Sequence, residues 1–274
     1  MKVGWNCGSD YHGVEFPHVG HERVRDVLSH LSDMPTDKRG AVAPELSRYA
    51  RAVGRRVRSR FILFGTLRHT EPVNLGFGIR HGTPVDRYYI DQFLSNNASA
   101  ITGRVLEVGG RDYSERFGGE ITRCDVLHVV AGTPGATITG DLASMPHVPD
   151  DSFDCIVLTQ TLHYVFDMKA AVGELFRILA PGGTVLCTVP GLSQISRYDM
   201  DRWGDRWRLT SLSAFELFAT AFAETEVEVS TFGNALAALC FIEGIPAERL
   251  RARELRVNDP DYQILVCVRA RKPA

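Results

Sequence analysis

The sequence predicts an α/β fold: a doubly wound, seven-stranded sheet, mostly parallel, with an antiparallel hairpin strand near its C-terminus. Three observations predict it. From Gly82 onward, apolar strand-like runs alternate with amphipathic helical runs; such alternation closes onto one sheet through right-handed crossovers. FDCIVLTQ (Phe153 to Gln160) is apolar on both faces, as a central parallel strand is. GRVLEVGG (Gly103 to Gly110) ends a strand in an acid and a glycine turn, and Asp125 and Asp141 follow at the ends of the next two strand-like runs.

Residues 1–84 read as an N-terminal extension and candidate lid, punctuated by Gly, His and Pro. Within it, RYARAVGRRVRSR (Arg48 to Arg60) carries six arginines and no acid, which is either a solvated helix face or an anion-gathering one. Cys7, His12, His18 and His21 match no zinc spacing, so no metal is expected. TPVDRYYIDQFLSNN reads as a helix, with Ile90, Phe93 and Leu94 on one face and Pro84 near its start. RVLEV is the first strand, RDYSERF a short helix, ITRCDVLHVV the second strand, ATITGDL the third and FDCIVLTQ the fourth. Val165, Met168, Val172, Leu175, Phe176 and Leu179 then recur at helical spacing. Pro181 and Gly182–Gly183 end that helix, and TVLCTVP is the fifth strand. TEVEVSTFG and DYQILVCVRARK supply the last two, separated by an insertion over residues 234–260 that reads as helical around ALAALCFIEG and PAERLRARELR. The main domain therefore covers residues 85–274.

At 274 residues, 44% hydrophobic and 23% charged, the composition is that of a soluble globular chain. A net charge of −2 gives no overall field to gather nucleic acid. The six cysteines form no C-x-x-C pair, which fits reduced thiols and a cytoplasmic location. The start lacks the apolar run of a signal peptide, and no apolar segment is long enough to cross a bilayer. A homodimer is compatible with this composition.

A glycine turn lets backbone approach a ligand closely and presents N–H groups to an anion. A carboxylate at the end of the second strand can accept both ribose hydroxyls of a nucleoside; Asp125 is the candidate, the other reading being an exposed loop aspartate. Asp141 either caps the turn that follows it or faces the nucleobase. With LAPGGTVLCTVPG (Leu179 to Gly191), these motifs resemble the class I S-adenosylmethionine-dependent methyltransferases, in particular the type 11-like group, whose fold is Rossmann-like. The resemblance covers Tyr88 to Gly191 best. Through GTPVDRYYI, TQTLH and SRYDMDRWGD it extends more loosely over Thr83 to Lys272, toward bacterial methyltransferases of glycans and secondary metabolites. It implies S-adenosylmethionine as cofactor, with Tyr88, Glu107, Gly109, Gly110, Asp125, Val126, Asp141, Leu142 and Gln160 around it. GGRDY departs from the family's G-x-G-x-G and puts Arg111 and Tyr113 where small residues are common.

The resemblance also implies a small-molecule or glycan acceptor, with no nucleic acid and no membrane span. TQTLH at the end of the fourth strand lacks the Asn/Asp-Pro-Pro-aromatic signature of base methylation. His163 follows that strand, where it is either a general base for a hydroxyl acceptor or a residue that packs the loop. SRYDMDRWGDRWR (Ser196 to Arg208) follows the fifth strand. Its Tyr198, Arg202, Trp203 and Trp207 suit a polar ring or, alternatively, pack back onto the sheet. The expected activity is methyl transfer to oxygen. Two other readings stand beside it: a catalytically silent binding protein of the same fold, and an enzyme of this fold that catalyses a non-methylating reaction such as cyclisation.

Overall fold

A computed structural model describes residues 68–274, and Thr70–Ala274 form one compact unit. The expectations for Arg48–Arg60, for Cys7, His12, His18 and His21, and for the extension before residue 68 lie outside the described residues.

The first helix, α1 (Val85–Asn96), buries Val85, Tyr89, Ile90, Phe93 and Leu94 on one face. There follow β1 (Gly103–Val108), α2 (Asp112–Phe117), β2 (Ile121–His128), the two-residue β3 (Ile138–Thr139) and β4 (Phe153–Thr159). The chain continues with α3 (Met168–Ile178), β5 (Leu179–Pro190), α4 (Arg197–Met200), α5 (Ser211–Phe218), β6 (Val227–Phe232), α6 (Ala235–Ile242), α7 (Ala252–Leu255) and β7 (Leu265–Arg271).

These strands form one sheet in the order β3-β2-β1-β4-β5-β7-β6. β1 pairs in parallel with β2 and β4, and β4 with β5, whereas β7 runs antiparallel between β5 and β6. The chain winds outward from β1 to β3 and returns to β4 on the other side of β1. That reversal makes the carboxyl ends of β1 and β4 the place where a ligand crevice opens. Strand alternation then builds a core on each face. Leu106, Ile156, Leu158 and Cys187 pack with α3 and α5 residues on one face. Val105, Cys155, Val157 and Leu186 pack with α1 and α6 residues on the other.

Three element boundaries differ from expectation in ways that shape the site and its surroundings. The third strand shrinks to Ile138–Thr139 because the chain turns at once, with the Ser144 amide donating to the Asp141 carbonyl at 2.9 Å. The helix after β4 ends before Pro181, because Leu179 turns extended (φ −76°, ψ 130°) and pairs with Phe153. β5 therefore already includes Pro181 and the glycine pair. In the insertion, PAERLRARELR breaks into a 3-10 turn at Ala247–Arg249 and the one-turn α7, since Leu250 and Arg251 are extended. The segment before α1 is tied to this insertion. The Asn74 amide donates to the Glu243 carbonyl at 2.9 Å, and the Thr83 amide to Glu248 at 3.1 Å.

Candidate active site

The glycine turn after β1 is shaped from below by Glu107. This carboxylate is buried and accepts from the Tyr113 amide at 3.1 Å, the Ser114 amide at 2.7 Å and the Ser114 hydroxyl at 2.6 Å. It thereby holds the first turn of α2 against the strand end. Burial pushes its pKa above the usual carboxylate range, against the pull of those bonds. Gly109 sits at φ +90°, and a Cβ built on it meets no atom of the described residues within 4 Å. Glycine is required there by backbone conformation, and the space beside it is open cleft.

That cleft is a cavity of about 730 Å³ along the carboxyl edge, within the usual range of about 300–1,000 Å³ for small-molecule sites. Val108 and Gly109 supply its floor, His128 and Val129 one wall, and Asp141 and Leu142 the far end. Thr161, Tyr164 and Phe166, following β4, face them, and Arg202, Trp203 and Arg206 complete the lining. The structure thus gathers Gly109, Asp141, Leu142, Arg202 and Trp203 from the expected set. The Asp141 side chain also accepts from the Ala143 amide at 2.9 Å, so its turn-capping role is present as well.

Other expected residues are placed elsewhere. Asp125 lies three residues before the end of β2, opposite Leu106 in the register. It is buried, accepts from the Thr137 hydroxyl at 2.8 Å, pairs with Arg123 at 2.7 Å, and lines a separate cavity with Arg104. Val126 is buried within β2. Glu107 lies beneath the turn, and Gly110 and Gln160 adjoin the cleft in sequence without lining it. Gln160 adopts φ +45°, and its amide donates to the Thr188 carbonyl at 2.9 Å. Such a left-handed non-glycine residue carries local strain at the mouth of the central strand. Tyr88 packs on α1 edge-to-face with Tyr89.

His163 is buried and does not line the cleft. Its Nε2 lies 3.8 Å from Asp205, and its Nδ1 has no partner among the described residues. Burial pulls its pKa down to about 4, outweighing the opposing pull of Asp205. The imidazole is therefore neutral at pH 7 and does not titrate in the physiological range. Its carbonyl accepts from the Arg206 and Trp207 amides, both at 3.3 Å. Asp205 is held by Arg208 at 2.5 Å and by the Ser196 amide at 2.9 Å. The turn after β4 and the loop after β5 are thus stitched together. Trp207 donates its indole N–H to the Val165 carbonyl at 3.0 Å and packs on Phe166, behind the cleft. Tyr198 is exposed, with the Arg202 guanidinium 3.5 Å over its ring.

Sequence reasoning missed His128, Tyr164 and Phe166. His128 was legible as the last residue of ITRCDVLH, had VVAGTPG been read as the turn. The others became lining residues only through the stitching of two loops distant in sequence.

Comparison with known proteins decides the family. A family model described as a methyltransferase domain matches residues 7–215. The chain belongs to that family. A protein of Mycolicibacterium smegmatis, named a probable S-adenosylmethionine-dependent methyltransferase, is 33% identical over 142 residues, covering 50% of this chain and 51% of that one. A fatty-acid O-methyltransferase of the same organism is 28% identical over 168 residues, covering 54% and 59%. The chain thus spans about half the length of these curated relatives. Among solved structures, N-methyltransferase NodS from Bradyrhizobium japonicum, in complex with S-adenosyl-L-homocysteine, shares 19% identity at a TM-score of 0.45, covering 74% of this chain and 95% of that one. The [4+2]-cyclase SpnF shares 17% at 0.46, covering 71% and 84%.

S-adenosylmethionine is accordingly the cofactor of this methyltransferase, and the cleft fits it. The open space beside Gly109 admits a ligand against backbone. Asp141 brings a carboxylate to the cleft, which would accept from an exocyclic amine, and Leu142 and Val108 would give apolar contact.

Proposed function

We propose that this protein transfers the methyl group of S-adenosylmethionine to an oxygen of a small polar, glycosylated or natural-product acceptor, in the cytoplasm and in a biosynthetic setting. The observation that carries the reading is a carboxyl-edge cavity that joins the Gly109 turn and Asp141–Leu142 to Tyr164, Phe166, Trp203 and Arg206. One half suits a nucleoside; the other mixes aromatic faces with cations. The cofactor's sulfonium supplies an electrophilic methyl group. The chain's own contribution is to hold an acceptor in line with it, and such alignment is worth roughly 7–11 kcal/mol. Trp203 and Phe166 would cover the acceptor and exclude water, while Arg202 and Arg206 would attract an anionic group.

Those two arginines favour a narrower version in which the acceptor oxygen belongs to a carboxylate. Such a nucleophile is already ionised at neutral pH and needs no general base, and one relative is named a fatty-acid O-methyltransferase. The test is calorimetry with S-adenosylhomocysteine, followed by methyl-transfer assays on matched alcohol, sugar and carboxylic acid acceptors. Folded wild-type protein that binds no S-adenosylhomocysteine would end the reading. Turnover of alcohols with no carboxylate methylated would end the narrower version. Cofactor binding with product formed but no S-adenosylhomocysteine released would identify a non-methylating enzyme instead.

A further inference from the structure

We infer that His128, acting as a hydrogen-bond donor, reads the ribose hydroxyls of the nucleoside in place of the carboxylate that nucleotide-binding sheets place at this point. The inference rests on the cofactor reading above and adds to it the residue and the polarity of the contact.

β1 and β2 run parallel, and the Gly109 amide donates to the Leu127 carbonyl at 3.0 Å. That is the last ladder bond between them, so His128 is the first β2 residue beyond it and flanks the glycine turn. In dinucleotide folds this is where an acid meets the ribose. The nearest acid in this chain, Asp125, is three residues too early and is already engaged by Thr137 and Arg123. His128 lines the cleft, and Asp125 does not.

The hydrogen bonds of the ring then set its chemistry. The Val130 amide donates to His128 Nδ1 at 3.0 Å. A backbone N–H can only donate, so Nδ1 carries the lone pair and the neutral ring bears its proton on Nε2. The Thr133 hydroxyl lies 3.0 Å from the same Nδ1, a further fixed contact on that side. Among the described residues Nε2 has no hydrogen-bond partner. Trp203 meets the ring edge-on, with centroids 5.7 Å apart and planes at 79°, which limits its rotation. The result is a preset N–H donor in the nucleoside half of the cleft. A ribose hydroxyl oxygen would accept from it, the reverse of the bond that a carboxylate makes.

The test is calorimetry of full-length protein with S-adenosylhomocysteine and with its 2′,3′-dideoxyribose analogue, with thermal melting run alongside to confirm folding. Wild type should prefer S-adenosylhomocysteine over the analogue by about tenfold, the range of one to two net hydrogen bonds. His128→Ala should bind S-adenosylhomocysteine about tenfold more weakly and discriminate no longer, while His128→Gln, which keeps an N–H donor, should recover part of both. Undiminished affinity and discrimination in His128→Ala would overturn the assignment. So would a tenfold loss in Asp125→Asn with normal His128→Ala. Wild-type protein that bound neither ligand would instead overturn the cofactor reading on which the assignment stands.

Discussion

Strand β2 contributes to two cavities that spend their polar groups in opposite ways. Toward its amino end, a cavity of about 430 Å³ is lined by Arg104, Arg123, Asp125 and Thr137. Arg104 and Arg123 are direct partners in the β1–β2 register, where like charges repel. Each is neutralised by its own acid, Arg104 by Asp154 at 2.8 Å and Arg123 by Asp125 at 2.7 Å. Thr137 closes the network by accepting from the Val126 amide at 2.9 Å and donating to Asp125. The network pins the β2–β3 crossover. At the carboxyl edge the reverse holds: among the described residues His128 keeps one ring nitrogen without a partner, and Gly109 leaves open space. An acid near a strand end is therefore no sign of a ligand until the last ladder bond is located, because residues before that bond are claimed by the sheet.

Four substitutions test this contrast. The largest effect is expected at Gly109→Val. A β-branched residue at φ +90° is strained, and its side chain fills the cleft. S-adenosylhomocysteine affinity should fall at least 100-fold by calorimetry while circular dichroism stays near wild type. An undiminished affinity would place the cofactor outside the cleft.

The next effect concerns the stitched loops rather than the ligand. His163 titrates near 6.5 when unfolded and near 4 when folded. Stability is thus full above about pH 6.5 and is lost as pH falls toward 4, because the unfolded chain takes the proton first. The loss should be about 3 kcal/mol from this group, at 1.36 kcal/mol for each pKa unit. In His163→Gln, denaturant melts across that window should lose this part of the slope. A kcat that tracks a histidine titration near 6.5 and vanishes in His163→Gln would instead restore a catalytic base role.

Asp125→Asn should lower stability by about 1–2 kcal/mol through the Thr137 and Arg123 contacts, with S-adenosylhomocysteine affinity within about twofold of wild type. The reverse pattern would erase the difference between the two cavities. The smallest effect is expected at Trp203→Ala, which should weaken S-adenosylhomocysteine by about threefold by freeing the His128 ring. A rise in acceptor KM alone would assign the indole to the acceptor instead.

The strand and helix sequence was legible because each element's apolar period is written locally. FDCIVLTQ can bury both faces only inside a parallel sheet, and α1 shows its buried stripe in Ile90, Phe93 and Leu94. Gly109 was legible for the same reason: a strand-to-helix turn there needs positive φ, whatever surrounds it. Asp141 and Leu142 followed because their turn leaves the sheet directly. Asp125 was misplaced by counting along an apolar run instead of locating where pairing stops. ITRCDVLHVV does not show that Gly109 bonds to Leu127 and that pairing with β1 ends there. Position along the sequence put His163 at the sheet edge, but its burial comes from Asp205 and the loop after β5, more than 40 residues later.

The α/β class, the glycine turn and the family follow from the amino-acid sequence alone, since these depend on local periodicity, backbone freedom and motif order. Which polar groups face the cleft follows only from the packed chain. That depends on where parallel strands stop pairing and on which distant side chains satisfy a carboxylate or an imidazole first. A buried polar group takes the partner within reach, and reach is set by the packed sheet and its stitched loops.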